Sequence, residues 1–286
     1  MLIIGTGRKQ LKCDSTVSFN LAADHWNLKE GNLLKSRTSI SMGSSSRLTK
    51  HGKVFLLELL GAGDHRLSPS AFTEIMAHLE TVNNSEDAGA LVTTNEGKFF
   101  CNGLDLEWIS ENIKERGPVL YRKFEELLIA FMCMKVPTIA AVRGHAAGGG
   151  FCLAMAHDHR FMRADRGFLY SSGVDINVAV PPGTLALFAC KMSPRVYKDA
   201  VLKCVKYTGK MALEADLIDG LCDDPETTLQ EALKEAEALA GRNWDKDVYK
   251  GMRLAMYPDV LEKLRVGDYQ TFAPTGASLK GFKPQQ

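Results

Sequence analysis

No apolar run in this chain is long enough to cross a bilayer, which takes about 20 residues, so no membrane span is expected. Charge of one sign is also missing. Lys and Arg number 35 against 34 Asp and Glu in 286 residues, which leaves no basic stripe and argues against nucleic acid as a partner. Cysteines are few and scattered. The seven (13, 101, 133, 152, 190, 204 and 222) are odd in number and show no CxxC or Cys/His ligand spacing. That excludes a disulfide framework and a zinc or other metal site, and it points to a reducing compartment. The phosphate loop GxxxxGK[ST] is absent, as is any internal repeat.

What is present is a composition for a buried core. Hydrophobic residues make up 45% of the chain, enough for one globular domain with or without an appendage. Residues 1–50 carry Gly, Ser and mixed charge without a helical or strand period, and read as a flexible N-terminal extension. A targeting role is conceivable there, but Asp14, Asp24 and Glu30 and the lack of a clean apolar segment do not suit a signal peptide.

From Lys53 the pattern changes. Val54 to Leu60 is a short apolar run that reads as a buried strand. Ser68-Pro69 starts a helix, with Ser as cap and Pro at its first position. A second strand covers 88–94, a helix roughly 118–134, and a third strand 137–142. A glycine-rich turn and an apolar stretch over 151–157 follow. Alternating strands and helices predict an α/β fold with crossover connections. Beyond residue 184 the pattern is mostly helical, including an amphipathic helix over 228–239 with Leu229, Leu233, Ala236 and Leu239 inward.

Two turns carry the chemistry. The first is Phe99-Phe100-Cys101-Asn102-Gly103-Leu104-Asp105-Leu106. The second is Gly144-His145-Ala146-Ala147-Gly148-Gly149-Gly150. Three consecutive glycines between a strand and an apolar helix admit a ligand to bare backbone, where N–H groups stand free at a positive helix end. An oxyanion or a phosphate suits such a place. A tight turn against a packed neighbour is the plain alternative.

These turns, together with Ala156-His157-Asp158-His159-Arg160 and Tyr207-Thr208-Gly209-Lys210 further on, resemble the crotonase (enoyl-CoA hydratase/isomerase) superfamily over about residues 50–265. Among its members the plant peroxisomal Δ3,Δ2-enoyl-CoA isomerases share the most. The resemblance implies an α/β spiral of ββα units: a core with the active site over 51–205, then a C-terminal helical region and tail over 206–286 that builds a homotrimer or hexamer. It also implies an acyl-CoA substrate and no cofactor beyond that coenzyme A. Carried over by position, the oxyanion donors are the N–H groups of Leu104 and Gly149. The coenzyme A pocket falls on His65, Arg66, Leu67, Asn102 and Gly103, with Gly148, Tyr170 and Gly173 as further substrate-binding residues. Arg66 reads equally as a phosphate contact or a solvated surface charge.

The acid/base positions implied by the resemblance do not carry their usual residues. The isomerase glutamate aligns with Gly173, and the hydratase glutamate two residues after the glycine triplet aligns with Cys152. A third station falls near Pro181-Pro182-Gly183. Asp175, His145 and Cys152 are the titratable groups left nearby, each with a structural reading beside the catalytic one. His157-Asp158-His159 reads as structural, because neighbouring side chains point different ways. Three functions stay open: an isomerase-like enzyme, a non-catalytic acyl-CoA-binding protein, and a diverged enzyme of specialised metabolism. The last residues, Pro284-Gln285-Gln286, are not a Ser-Lys-Leu-type tripeptide, so peroxisome and cytoplasm are both expected addresses.

Overall fold

The computed structural model describes residues 43–60 and 63–267. In chain order the elements are β1 (Ser46–His51), β2 (Val54–Leu59), α1 (Pro69–Asn84), β3 (Ala90–Asn95), β4 (Phe99–Cys101), α2 (Leu106–Glu111) and α3 (Ile113–Met132). Then come β5 (Thr138–Val142), β6 (His145–Ala147), α4 (Gly149–Ala156), β7 (His159–Arg163), β8 (Leu169–Tyr170) and α5 (Pro182–Lys191). The chain continues through α6 (Pro194–Leu202), α7 (Gly209–Glu214), β9 (Gly220–Cys222), α8 (Pro225–Ala240), α9 (Lys246–Met256) and α10 (Pro258–Val266).

Two sheets organise these elements. One has six strands in the order β1-β2-β3-β5-β7-β9; the other has three, β4-β6-β8. All pairings are parallel except the β1–β2 hairpin. The repeating step is thus a strand for the large sheet, a strand for the small one, then a helix. The apolar run Val54–Leu57 of β2 follows from burial on both faces. Val54 and Leu56 pack with Ala232, Ala236 and Ala240 of α8, while Phe55, Leu57 and Leu59 face the main core under α1 and α3. Small residues on α8 allow close approach; a Cβ at Gly89 would lie 2.6 Å from that of Ala240.

The Ser68 cap forms as expected: its hydroxyl accepts the Ala71 N–H at 3.2 Å. The 118–134 helix begins earlier, at Ile113, and carries Pro118 inside it. Asn112 ends α2 and opens α3, so Pro118 falls within two turns of the start rather than at it.

One zone boundary needs correction. The interval read as an extension ends in β1, whose register runs from Ser46↔Leu59 to His51↔Val54. Leu48 is its only large apolar residue, and an edge strand needs no more, so the apolar pattern did not register it. The region from 206 carries helices α7 to α10, as expected, and is also tied into the core. Tyr207 exchanges backbone hydrogen bonds with Leu169 at 2.9 Å in both directions, and β9 pairs with β7 inside the large sheet. Residues 1–42 and 268–286 of these zones lie outside the described residues.

Candidate active site

The two glycine turns meet. Leu67 and Leu104 form a parallel bridge, in which the Leu67 N–H donates to Gly103 O at 2.8 Å and the Asp105 N–H to Leu67 O at 3.2 Å. This bridge engages the groups on either side of Leu104 and leaves the Leu104 N–H facing the other way, because successive amides alternate in extended chain. Gly149 is the first residue of α4, where amides have no partner within the helix. Neither the Leu104 nor the Gly149 N–H has an acceptor among the described residues.

Glycine geometry measures how close the turns are. A Cβ on Gly149 would sit 3.5 Å from Leu104 N and 3.3 Å from Gly103 Cα. A Cβ on Gly103 would sit 2.9 Å from Gly149 N and 3.0 Å from Ala147 O. Gly103 and Gly148 hold φ of +79° and +52°, left-handed values that cost a side-chain-bearing residue energy. The third glycine has a packing duty: a Cβ on Gly150 would overlap Cys101 O at 2.0 Å. The two amides therefore converge at the positive end of α4, with backbone in place of side chains around them.

Around this centre the site residues proposed from sequence divide. Leu67, Asn102, Gly103 and Gly148 are all part of the turns. The Gly148 N–H donates to Tyr170 O at 2.9 Å, and Ser172 Oγ lies 3.6 Å from where a Gly148 Cβ would be. Tyr170 is half-buried, its hydroxyl pushed up by burial, with Lys206 Nζ 5.3 Å above its ring. Arg66 does not stand as a solitary cation: it pairs with Asp64 at 3.2 Å, and Asn102 Nδ2 donates to the same carboxylate oxygen at 3.2 Å. Asp64 was not singled out from sequence; its place in the turn depends on the bend at His65, a non-glycine residue with φ +48°.

The titratable candidates fare differently. Cys152 is buried and its thiol donates to Gly148 O at 3.3 Å. Burial pushes that thiol well up, so it stays protonated and drops out as an acid/base group. Its position in α4 is that of a small apolar residue. The His145 ring sits between Phe99 and Phe168, at centroid distances of 5.2 and 5.3 Å. Burial, then Lys98, Arg166, Lys206 and Arg163, lower its pKa; it is a neutral, stacked imidazole. Asp175 is exposed, on the turn that Gly173 opens.

Gly173 is enclosed rather than merely bare. The Val178 N–H returns to Gly173 O at 2.8 Å and the Asn177 N–H to Val174 O at 3.1 Å, with Asn177 left-handed at φ +55°. This is the helix-ending Schellman pattern. A Cβ on Gly173 would lie 2.8 Å from Val178 O and 3.0 Å from Val180 Cγ2.

His157, Asp158 and His159 each turn to a different partner. His157 is fully buried between Leu153 O and Thr93 Oγ1, both at 2.8 Å, and burial pushes its pKa down to about 3. Asp158 pairs with Arg253 of α9 at 2.6 Å; His159 faces Asp219. Among the described residues no three His, Cys, Asp or Glu side chains are grouped to hold a metal, and no helix is long and apolar enough to cross a membrane.

Helix α3 covers the site. Phe124 Cζ lies 3.3 Å from the Cβ position of Gly149. Tyr121 and Phe124 are buried, and so is Glu125, at 1% exposure. Glu125 is a charged residue inside the apolar period Leu120, Tyr121, Phe124, Leu128, a signal carried by the sequence itself.

The family model described as enoyl-CoA hydratase/isomerase matches residues 65–281. The chain is 35% identical over 219 residues to enoyl-CoA delta isomerase 3 of Arabidopsis thaliana, covering 74% of this chain and 92% of that protein. It is 34% identical over 227 residues to the peroxisomal enoyl-CoA delta isomerase 1 of the same plant, covering 78% and 94%. A solved probable enoyl-CoA hydratase of Mycobacterium tuberculosis superposes with a TM-score of 0.74 at 23% identity, over 80% of this chain and 95% of that one. With its β-β-α spiral, its paired glycine turns and these relatives, the chain belongs to the enoyl-CoA hydratase/isomerase family and has the crotonase fold.

Proposed function

We propose that this protein is a Δ3,Δ2-enoyl-CoA isomerase that moves a C=C bond through a thioester enolate. The observation that carries the reading is the convergence of the Leu104 and Gly149 amides. An oxygen placed between them would accept both N–H groups at the positive end of α4. Each such donor lowers the barrier to enolate formation by roughly 3–4 kcal/mol in comparable oxyanion holes. The relatives named enoyl-CoA delta isomerases favour the isomerase over the hydratase. The coenzyme A portion would lie along Arg66, Leu67 and Asn102, with Gly148, Tyr170 and Gly173 beside the acyl chain. No cofactor besides that coenzyme A enters the reading.

The test is turnover of a 3-enoyl-CoA, followed by the absorbance of the conjugated 2-enoyl thioester. Turnover supports the reading. Acyl-CoA binding without turnover would replace it with the second one, a non-catalytic acyl-CoA-binding protein, which Gly173 favours. Thermal-shift screening against CoA and non-CoA ligands separates a diverged substrate from both, since a bound ligand raises stability by mass action.

The assembly belongs to the same reading. Val248, Met252 and Met256 stand one helical turn apart on α9 and are 64%, 62% and 63% exposed. An apolar stripe of this kind suits a second copy of the chain, as in a homotrimer or hexamer, and sedimentation of Met252→Glu against the parent measures it. Two of the relatives are named as peroxisomal, which favours that address over the cytoplasm; co-localisation of the tagged full chain with a peroxisomal marker decides it.

A further inference from the structure

The isomerase reading requires a group that carries a proton from C2 to C4, and the three expected stations hold Gly173, Cys152 and the Pro181–Gly183 turn. We infer that Glu125 is the catalytic acid/base of this site, delivered from α3 into the space that Gly183 leaves open at the start of α5. The inference rests on the isomerase reading and adds a residue to it.

Three observations support it. First, Glu125 is 1% exposed, and among the described residues no other Asp or Glu is buried to that degree. Burying a carboxylate is costly, so a fold retains one where it has a task. Second, Glu125 Oε1 lies 2.7 Å from where a Cβ on Gly183 would be. The same position lies 2.8 Å from Leu264 Cα of α10, so the glycine admits both this carboxyl and the α10 backbone. The turn that lacks a carboxylate of its own thereby receives one from another helix. Third, Tyr121, one helical turn before Glu125 on the same face of α3, stands near enough to Cys152 for the two groups to interact. Beside Gly183, the Thr184 hydroxyl is buried to 1% exposure and makes no hydrogen bond among the described residues. Buried polar atoms are nearly always paired, and a second polar group enclosed here suits a place where a substrate is handled.

The step balances without a co-reactant. The Glu125 carboxylate takes a proton from C2 of the 3-enoyl thioester. The C2–H electron pair becomes the C1=C2 bond, and the carbonyl pair moves to the oxygen facing Leu104 and Gly149. The protonated Glu125 then returns the proton to C4. The C3=C4 pair forms the new C4–H bond, the C1=C2 pair becomes C2=C3, and the carbonyl reforms.

Glu125→Gln keeps the shape and removes the base. The measurements are kcat and KM with a 3-enoyl-CoA, binding of a saturated acyl-CoA, and deuterium uptake at C2 of that saturated acyl-CoA in D2O. The expected result is a kcat loss of about 10²–10⁴-fold with KM and binding within about threefold, and loss of deuterium uptake. A kcat within about threefold of the parent overturns the assignment. So does a fall in kcat matched by an equal fall in acyl-CoA binding, which is what a purely structural carboxylate at the α5 start would produce. If Glu125→Gln does not fold, Glu125→Asp decides: a kcat loss of tenfold or more at the parent Tm supports the assignment, and an unchanged kcat overturns it. A parent protein that neither converts the 3-enoyl-CoA nor exchanges the C2 proton defeats the isomerase reading itself. A parent that does both, alongside a variant that still does both, defeats only the role of Glu125.

Discussion

The two glycine turns and the stretch from Tyr170 to Gly183 border the same site and keep different things. In the turns the proposed working groups are amides of the main chain, which Leu104 and Gly149 would present wherever the backbone path is preserved. In the second stretch the work would fall to side chains, and there the expected glutamate is Gly173, enclosed by a Schellman turn. The comparison teaches that a backbone function survives substitution as long as the path holds, whereas a side-chain function is lost with one residue and can be supplied again only from elsewhere in the fold. Glu125, on a different helix, is that supply in our inference.

The largest effect should come from disturbing the path. Gly103→Ala forces a left-handed residue and drives a methyl to 2.9 Å from Gly149 N. Isomerase kcat/KM is expected to fall about 10²–10³-fold, the cost of losing one oxyanion donor. A variant with parental kinetics would break the claim that the main chain is the functional element. Leu104→Ala probes the same turn from the other side. It removes a buried side chain but keeps the amide, so urea unfolding should show a loss of about 2–4 kcal/mol, while kcat falls far less than in Gly103→Ala. Equal kinetic damage in the two would erase the distinction between backbone and side chain.

Gly173→Glu sharpens the comparison on the other stretch. Its Cβ meets the Val178 carbonyl at 2.8 Å, so the turn must open, with a stability loss of about 1–3 kcal/mol typical of overpacking. Isomerase activity should not rise. A clear gain, with an unchanged Tm, would show that the site still expects its proton carrier at 173 and not at 125.

The smallest effect concerns His145. Its folded pKa lies below the ordinary value, chiefly through burial. Below about pH 6.5 the unfolded chain therefore binds the proton more readily, and stability falls as pH falls. Tm measured from pH 8 to pH 5 should decline less steeply in His145→Phe than in the parent, by a small margin because His157, with its pKa near 3, contributes in the same direction. The pH profile of kcat should not change. A shifted profile would return His145 to the list of proton-transfer groups.

Much of this was legible in the sequence for local reasons. The Val54–Leu59 run marked a doubly buried strand, Ser68-Pro69 marked the start of α1, and the glycines at 103 and 148–150 marked turns where a side chain has no room. Short strands escaped. The three-residue β4 and β6 are too brief to show alternation, and β1 carries a single large apolar residue on a sheet edge. The candidate donors were legible because their signal is the glycine beside them. Asp64 as the partner of Arg66, and the enclosure of Gly173, were not, because each depends on where the chain folds back.

What the sequence determined by itself, then, was the class of fold and the main-chain half of the site, since strand burial, helix caps and glycine turns are written in residues next to one another. Only the tertiary structure decided where the titratable groups go. It buried Cys152, stacked His145, left Asp175 in water, and brought the α3 carboxyl of Glu125 against Gly183 of α5. The physical reason is packing. The meeting of two helices distant in the chain is set by the shapes of all the residues between them, and no short stretch of sequence encodes it.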